Sequence, residues 1–204
     1  PDIGQTLLIG FSWLILIFIS GISLLFLVTI SFIGIALLFY TAFYIAKFEY
    51  IKNRLLSFFD TENGTYNFQS DKALDSITSG GFFGKGIGEG VLKNKVPEAH
   101  TDYIISVISE EFGVIAIILI LVLFLVFAYS ILKKVSMETD SKTKLILVGC
   151  VSLILLQAMI HIGVNIRLFP TTGMTLPFLS YGGSSIVSIS ILSGIILNLT
   201  KRRV

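Results

Sequence analysis

Two carboxylates and an imidazole fall within five residues of one another in Pro97-Glu98-Ala99-His100-Thr101-Asp102. A carboxylate placed there could take a proton from a hydroxyl nucleophile. The same residues could bind a metal, although one His with loosely fixed spacing makes a weak ligand set. Asp102 could equally be a helix N-cap, contributing about 1 kcal/mol, and His100 a plain surface residue. The sequence that follows points further. Helical spacing from Asp102 reaches Ser106, Ser109, Glu110 and Gly113, a polar and small face. Ionisable residues beside apolar spans usually face a bundle interior or a wet cavity, so this face predicts the mouth of a polar cavity.

Upstream lies Gly80-Gly81-Phe82-Phe83-Gly84-Lys85-Gly86. A nucleotide phosphate loop needs Gly, four residues, then Gly-Lys-Ser/Thr at a strand-to-helix junction. Here Ser79 stands where the first glycine belongs and Gly86 replaces the hydroxyl residue, so a nucleotide site is excluded. What remains is a glycine-rich turn whose Lys85 either approaches an anion or is simply solvated. Downstream, Pro170-Thr171-Thr172-Gly173 and Thr175-Leu176-Pro177-Phe178-Leu179-Ser180-Tyr181-Gly182-Gly183-Ser184-Ser185 break helical regularity. Irregular backbone beside lipid is tolerated where it rests on protein or lines a cavity. His161, Asn165 and Arg167 lead into it, a polar density unusual for a mere connector. Ser184 and Ser185 could cap the next helix or present N–H groups to an anion.

The elements that must position these motifs are apolar helices. Of 204 residues, 54% are hydrophobic and only 14% charged, against about 25% charged in soluble domains. Lipid is therefore the main solvent, and the net charge of +2 gives no reason to expect nucleic acid. Five apolar runs approach the ~20 residues a span needs: about 5–20, 22–46, 103–132, 145–165 and 181–200. None alternates as barrel strands do, so the expected fold is an all-α, polytopic membrane helical bundle. Cys150, the single cysteine, lies in an apolar run and reads as a packing residue. The chain starts at Pro1 and runs at once into apolar sequence, an expectation of a fragment. The polar stretch 47–102, rich in glycine, is too long for an idle connector. Basic residues beside helix ends set orientation. The 133–144 linker and the C-terminal tail concentrate Lys133, Lys134, Lys142, Lys144, Lys201, Arg202 and Arg203. These are expected to be cytoplasmic, C-terminus included, with 47–102 outside.

Together, these motifs resemble the SEDS family (shape, elongation, division and sporulation), which includes FtsW, RodA and SpoVE. The matching residues are Pro1-Asp2-Ile3-Gly4, Gln69-Ser70, Gly80 through Gly86, Pro97 through Asp102, Glu110-Glu111-Phe112-Gly113 and Pro170 through Ser185, in the family's order. The run Pro170–Gly173 leans toward FtsW over RodA. The resemblance implies the last five of about ten membrane helices in the bacterial cytoplasmic membrane. It further implies polymerisation of lipid II, the undecaprenyl-pyrophosphate-linked disaccharide peptide, beside a class B penicillin-binding protein transpeptidase and other division proteins. It makes Asp102 the essential aspartate and marks Glu98 and Lys85 as further catalytic candidates. For substrate binding the candidates are His100, Arg167, Thr171, Thr172, Ser180, Tyr181, Gly182, Gly183, Ser184 and Ser185. Many members carry Lys at the position of Thr172, a small residue at Arg167 and Asn at His161. Arg167 is expected to restore the missing cation.

The chemistry implied is inverting transfer of a sugar whose anomeric carbon carries a lipid pyrophosphate. A carboxylate, Asp102, would deprotonate the acceptor hydroxyl. The leaving pyrophosphate would need Lys85, Arg167 or a divalent cation such as magnesium or manganese. A lipid II flippase, with broken helices at midplane, is the rival reading, and a scaffold for the transpeptidase the third.

Overall fold

The computed structural model describes residues 2–45, 48–59 and 68–201. Lys47, the segment 60–67, Arg202 and Arg203 lie outside the described residues. Among the described residues, seven α-helices follow in order: α1 (Ile3–Ile19), α2 (Leu24–Tyr44), α3 (Glu49–Phe59), α4 (Phe68–Gly80), α5 (Ile104–Met137), α6 (Ser141–Asn165) and α7 (Gly183–Thr200), with a 3-10 turn at Leu92–Lys95. No strand occurs among the described residues. The protein is a polytopic membrane helical bundle. Helices α2, α5, α6 and α7 are long and apolar enough to cross a membrane, and α1, with 17 residues, is a shorter apolar helix.

Local chemistry sets the boundaries. The Asp2 carboxylate accepts from the Gln5 N–H at 3.0 Å and starts α1. Asp140 accepts from the N–H groups of Lys142 and Thr143 and starts α6, satisfying donors that a helix start leaves open. Helix α6 is the axis of the bundle. Its Leu147, Cys150, Val151 and Ile154 form a buried cluster with Ile131 of α5 and with Ile189 and Ile196 of α7, and α1 packs on it as well. In contrast, α2 leaves Leu25, Val28, Phe32 and Leu37 exposed. That outward apolar surface suits hydrocarbon, where helix association gains nothing from hydrophobicity itself.

The described residues of the polar stretch 47–102 are largely helical and turn structure rather than plain loop. They build α3 and α4, and α4 packs along the first turns of α5. Helix α5 is itself divided, because Gly113 has φ 78 and ψ −179 in its interior. The glycine-rich turn fills that break. The N–H groups of Lys85 and Gly86 reach the carbonyls of Glu110 and Glu111 at 2.8 and 3.0 Å. Beyond the break, the N–H groups of Val114 and Ile115 reach Gly81 and Phe82 carbonyls at 3.0 and 3.4 Å. The turn thus satisfies two orphan backbone groups on each side of the break, as an apolar setting demands. A Cβ on Gly113 would meet the Phe82 carbonyl oxygen at 2.2 Å, so the close approach requires glycine there.

Candidate functional site

Asp102 stands where three segments meet. The first is the tight turn before α5. Glu98 has φ 54, and its carbonyl accepts from the N–H groups of Thr101, Asp102 and Tyr103 at 3.1, 3.0 and 3.3 Å. A left-handed glutamate costs about 1–3 kcal/mol and persists only where its surroundings impose it. The second is the end of α6, where the Asn165 side-chain amide donates to the Asp102 carbonyl at 3.0 Å. The third is the α6–α7 connection. Gly173 has φ 68, and a Cβ on it would lie 3.4 Å from Asp102 Oδ2, so this glycine keeps the turn against the carboxylate.

Asp102 does not cap α5. The N-cap position is Tyr103, where no side-chain cap hydrogen bond forms. The carboxyl is half-buried, and its pKa is raised by burial and then by the neighbouring Glu98 charge, which disfavour ionisation. The adjoining Tyr103 phenol is pushed up to about 12 by burial and by Asp102, against a smaller opposing effect of Arg54. It is neutral at physiological pH.

The α6–α7 connection is stapled to this turn. Ser180 Oγ accepts from the Leu176 N–H at 2.8 Å and donates to the Thr101 carbonyl at 2.6 Å. The Tyr181 N–H donates to the His100 carbonyl at 3.0 Å. Ser180 is therefore engaged in holding the loop, while the side chains of His100 and Tyr181 are exposed. His161 supports the same loop, with Nδ1 2.7 Å from the Met174 carbonyl.

Beside the connection lies a cavity of about 390 Å³ between α1, α6 and α7, lined by Gln157, Gly173, Thr175, Gly182, Ser184 and Ser185 among others. Gln157 Nε2 donates to the Thr175 carbonyl at 2.9 Å, and the Thr175 and Ser185 hydroxyls are 2.8 Å apart. Gly182 is the N-cap of α7, with no side-chain cap. Gly183, the first residue of α7, is exposed. Ser184 and Ser185 therefore face a polar cavity rather than capping the helix.

Two expected cations are committed elsewhere. Lys85 Nζ lies 3.4 Å from Glu110 Oε1, and Glu110 is eight residues past Asp102, about 12 Å along a helix. Arg167, with φ 57, pairs with Asp71 of α4 at 2.5 Å. The cation at Pro170–Gly173 is instead Arg54 of α3, whose Nη1 donates to the Thr171 carbonyl at 3.0 Å. Thr171, Thr172 and Arg54 share a groove of about 240 Å³ that is otherwise lined mainly by apolar side chains of α1, α2 and α3. Sequence reading missed Arg54 because it sits 117 residues from its partner. The amphipathic pattern of α3 was its only sequence signal.

The polar face of α5 does not line an open cavity. Ser106, Ser109, Glu110 and Gly113 are buried against α4 and the glycine-rich turn. Fully buried Glu110 accepts from Ser76 Oγ and from the N–H groups of Val91 and Leu92, each at 3.0 Å. Among the described residues, no three His, Cys, Asp or Glu side chains gather into a group able to hold a cation. The described residues thus offer no set of three such ligands for a divalent cation.

Over residues 1–204 the sequence matches the cell cycle protein family of FtsW, RodA and SpoVE. The chain belongs to this family. It is 35% identical over 203 residues to the probable peptidoglycan glycosyltransferase FtsW of Caulobacter vibrioides, covering 100% of this chain and 51% of the relative. It is 34% identical over 207 residues to the stage V sporulation protein E of Bacillus subtilis, covering 98% and 55%. A chain of a solved peptidoglycan synthase complex, described as coordinating polymerization and crosslinking, superposes with TM-score 0.73 at 26% identity, covering 98% of this chain and 55% of that one. The chain spans about half the length of the relatives it matches. Family membership agrees with the motifs that carried the resemblance and with the multi-pass architecture.

Proposed function

We propose that this chain is the catalytic half of an FtsW-type peptidoglycan glycosyltransferase that polymerises lipid II during cell division. The observation that carries the proposal is the half-buried Asp102 carboxylate, raised in pKa and set against the Gly173 turn, in a chain related along its whole length to FtsW proteins.

In this reaction the acceptor sugar hydroxyl attacks the anomeric carbon of a lipid-pyrophosphate-linked donor. Asp102 accepts the hydroxyl proton as the new C–O bond forms. The bond from the anomeric carbon to the phosphate oxygen breaks, with inversion, and the lipid pyrophosphate leaves with the electron pair. A carboxylate whose pKa lies above its ordinary value is a stronger base. Burial, and secondarily the Glu98 charge, raises that basicity. Arg54, held at Thr171, is the cation placed to meet the leaving charge. The lipid pyrophosphate already activates the donor, so no nucleotide is required.

The reading places Asp102 on the outer face of the cytoplasmic membrane and the C-terminus inside. It assigns as partners a class B penicillin-binding protein transpeptidase and other division proteins. The deciding experiment incubates full-length protein and partner with lipid II, wild type beside Asp102→Asn, and resolves glycan strands. Loss of strands in a folded variant supports the reading. Near-normal synthesis overturns it, and lipid translocation without any glycan product would move the protein to the flippase class.

A further inference from the structure

The turn that fills the break in α5 carries four large apolar side chains without cover. Phe82 is 74% exposed, Phe83 82%, Ile87 78% and Val91 62%. The site at Asp102 uses none of them. A patch of this kind marks an interaction surface, and its depth in the fold identifies the occupant.

Helix α5 carries Glu110 and Glu111 on one side of its apolar run and Lys133 and Lys134 on the other. The run between them, Phe112 to Leu132, is about 31 Å long at 1.5 Å per residue, which matches a hydrocarbon core of ~30 Å. Gly113 therefore lies at one boundary of that core. The turn is tied to this level by backbone, through the bonds from Val114 and Ile115 to Gly81 and Phe82. A further N–H, that of Gly88, donates to Glu111 Oε1 at 3.1 Å. The turn cannot lift away without unpairing both halves of α5. Its apolar side chains are also continuous with an outward apolar surface, since Phe112 and Ile115 beside it are exposed.

We propose that this turn is an interfacial membrane anchor, with Phe82, Phe83 and Ile87 inserted into the lipid leaflet on the side of Asp102. Phenylalanine and large aliphatic side chains of interfacial segments bury at the boundary between headgroups and acyl chains, and the backbone here holds Phe82, Phe83 and Ile87 at that depth. The buried Glu110 cluster links the anchored turn to the first half of α5, so the anchor also fixes the height of Asp102 above the acyl chains.

The test attaches a nitroxide to Phe83→Cys, and separately to Ile87→Cys, in full-length protein lacking other reactive thiols. The protein is reconstituted in phosphatidylglycerol–phosphatidylethanolamine bilayers. Collision with oxygen, which concentrates in lipid, is compared with collision with a water-soluble nickel chelate. Leu119→Cys serves as the lipid-facing reference and Thr139→Cys as the aqueous one. The expected result is oxygen contact exceeding nickel contact at both positions, at a depth between the two references. Strong nickel contact would place the turn in water and overturn the proposal. Weak contact with both reagents would show that protein covers it, which overturns the proposal as well. The two positions guard against one variant failing to fold.

Discussion

Arg54 Nη1 donates to the carbonyl oxygen of Thr171 at 3.0 Å, joining α3 to the α6–α7 connection. The bond fixes a guanidinium at the loop that also carries Gly173, against which the Asp102 carboxylate rests. Lys85 and Arg167 are held by Glu110 and Asp71. Removing one preorganised donor to a developing anion typically costs 10²–10³-fold in rate. Arg54→Ala in the full-length protein is therefore expected to lower glycan synthesis by about that factor. Arg54→Lys keeps the charge but loses the planar fork, and its rate should fall between. An alanine variant polymerising at the wild-type rate would remove Arg54 from the mechanism.

Arg167 serves a different purpose. Its pairing with Asp71 docks α4 against the end of α6. Arg167→Ala and Asp71→Asn should each lower activity modestly, and the double variant should be no worse than either single one. Thr172→Lys should not rescue Arg167→Ala, since the lost contact lies on α4. Rescue by that lysine would mean that Arg167 supplies charge to the loop after all.

Asp102→Asn isolates the proton acceptor. Tyr103, not Asp102, occupies the N-cap, so the substitution removes no cap. Rate should fall by roughly 10²–10⁴-fold. Stability should move the other way. The carboxyl's folded pKa lies above its unfolded value, so its contribution is fully present below the unfolded pKa and fades as pH rises through the folded pKa. At neutral pH the asparagine variant avoids that cost and should unfold at the same or a higher temperature in detergent. A variant both inactive and markedly less stable would indicate a structural role.

Glu98 offers a test of the electrostatics. Its charge is the second cause, after burial, of the raised Asp102 pKa. The base form of Asp102 gains population as pH rises, so synthesis should increase with pH along an acid limb set by this group. Glu98→Gln removes the repulsion and should move that limb to lower pH. An unmoved limb in an active Glu98→Gln protein would break the link between the two carboxylates.

The architecture was largely legible in the sequence, because apolar run length is a one-dimensional signal. The runs at 22–46 and 145–165 correspond to Leu24–Tyr44 and Ser141–Asn165. The break in α5 was not legible. Gly113 sits inside an otherwise helical pattern, and its need for φ 78 becomes apparent only when the turn around Phe82 packs on it. Asp102 could be singled out because a carboxylate before a polar helical face is a local pattern. The commitments of Lys85, Arg167 and Arg54 could not be, since each pairs with a residue distant in sequence, and spacing along the chain carries no such information.

Glu110 should be the most sensitive buried group outside the site. It is fully buried and receives bonds from Ser76, Lys85 and the Val91 and Leu92 backbone. Glu110→Ala takes the acceptor from the buried Ser76 hydroxyl and from the Val91 and Leu92 N–H groups, and a buried donor left unsatisfied costs about 1–3 kcal/mol, whereas Lys85 is partly exposed and stays solvated. A large fall in the temperature at which the protein stays monodisperse is expected. Gly90→Ala should act in the same direction, because its Cβ would meet the Glu110 carboxyl carbon at 2.8 Å. An unchanged melting temperature in both variants would show that this cluster does not hold α4 on α5.

Orientation gives the last prediction. The end of α5 and the start of α6 share a side with the end of α7, since Lys134 Nζ donates to the Thr200 carbonyl at 2.9 Å. Asp102, Thr171 and Ser180 share the opposite side. Basic residues immediately beside spans govern insertion, and acids weigh little. Lys133, Lys134, Lys142 and Lys144 crowd one short linker between two spans, whereas the basic residues on the Asp102 side are spread over a long polar stretch. That linker should therefore be cytoplasmic. In intact cells, a membrane-impermeant maleimide should label Lys95→Cys and leave Thr139→Cys unlabelled until the membrane is opened. Both positions are exposed, and the native Cys150 is buried, so it contributes no background. Labelling of Thr139→Cys in intact cells with Lys95→Cys protected would put Asp102 in the cytoplasm. Polymerisation on the outer face would then be impossible for this chain.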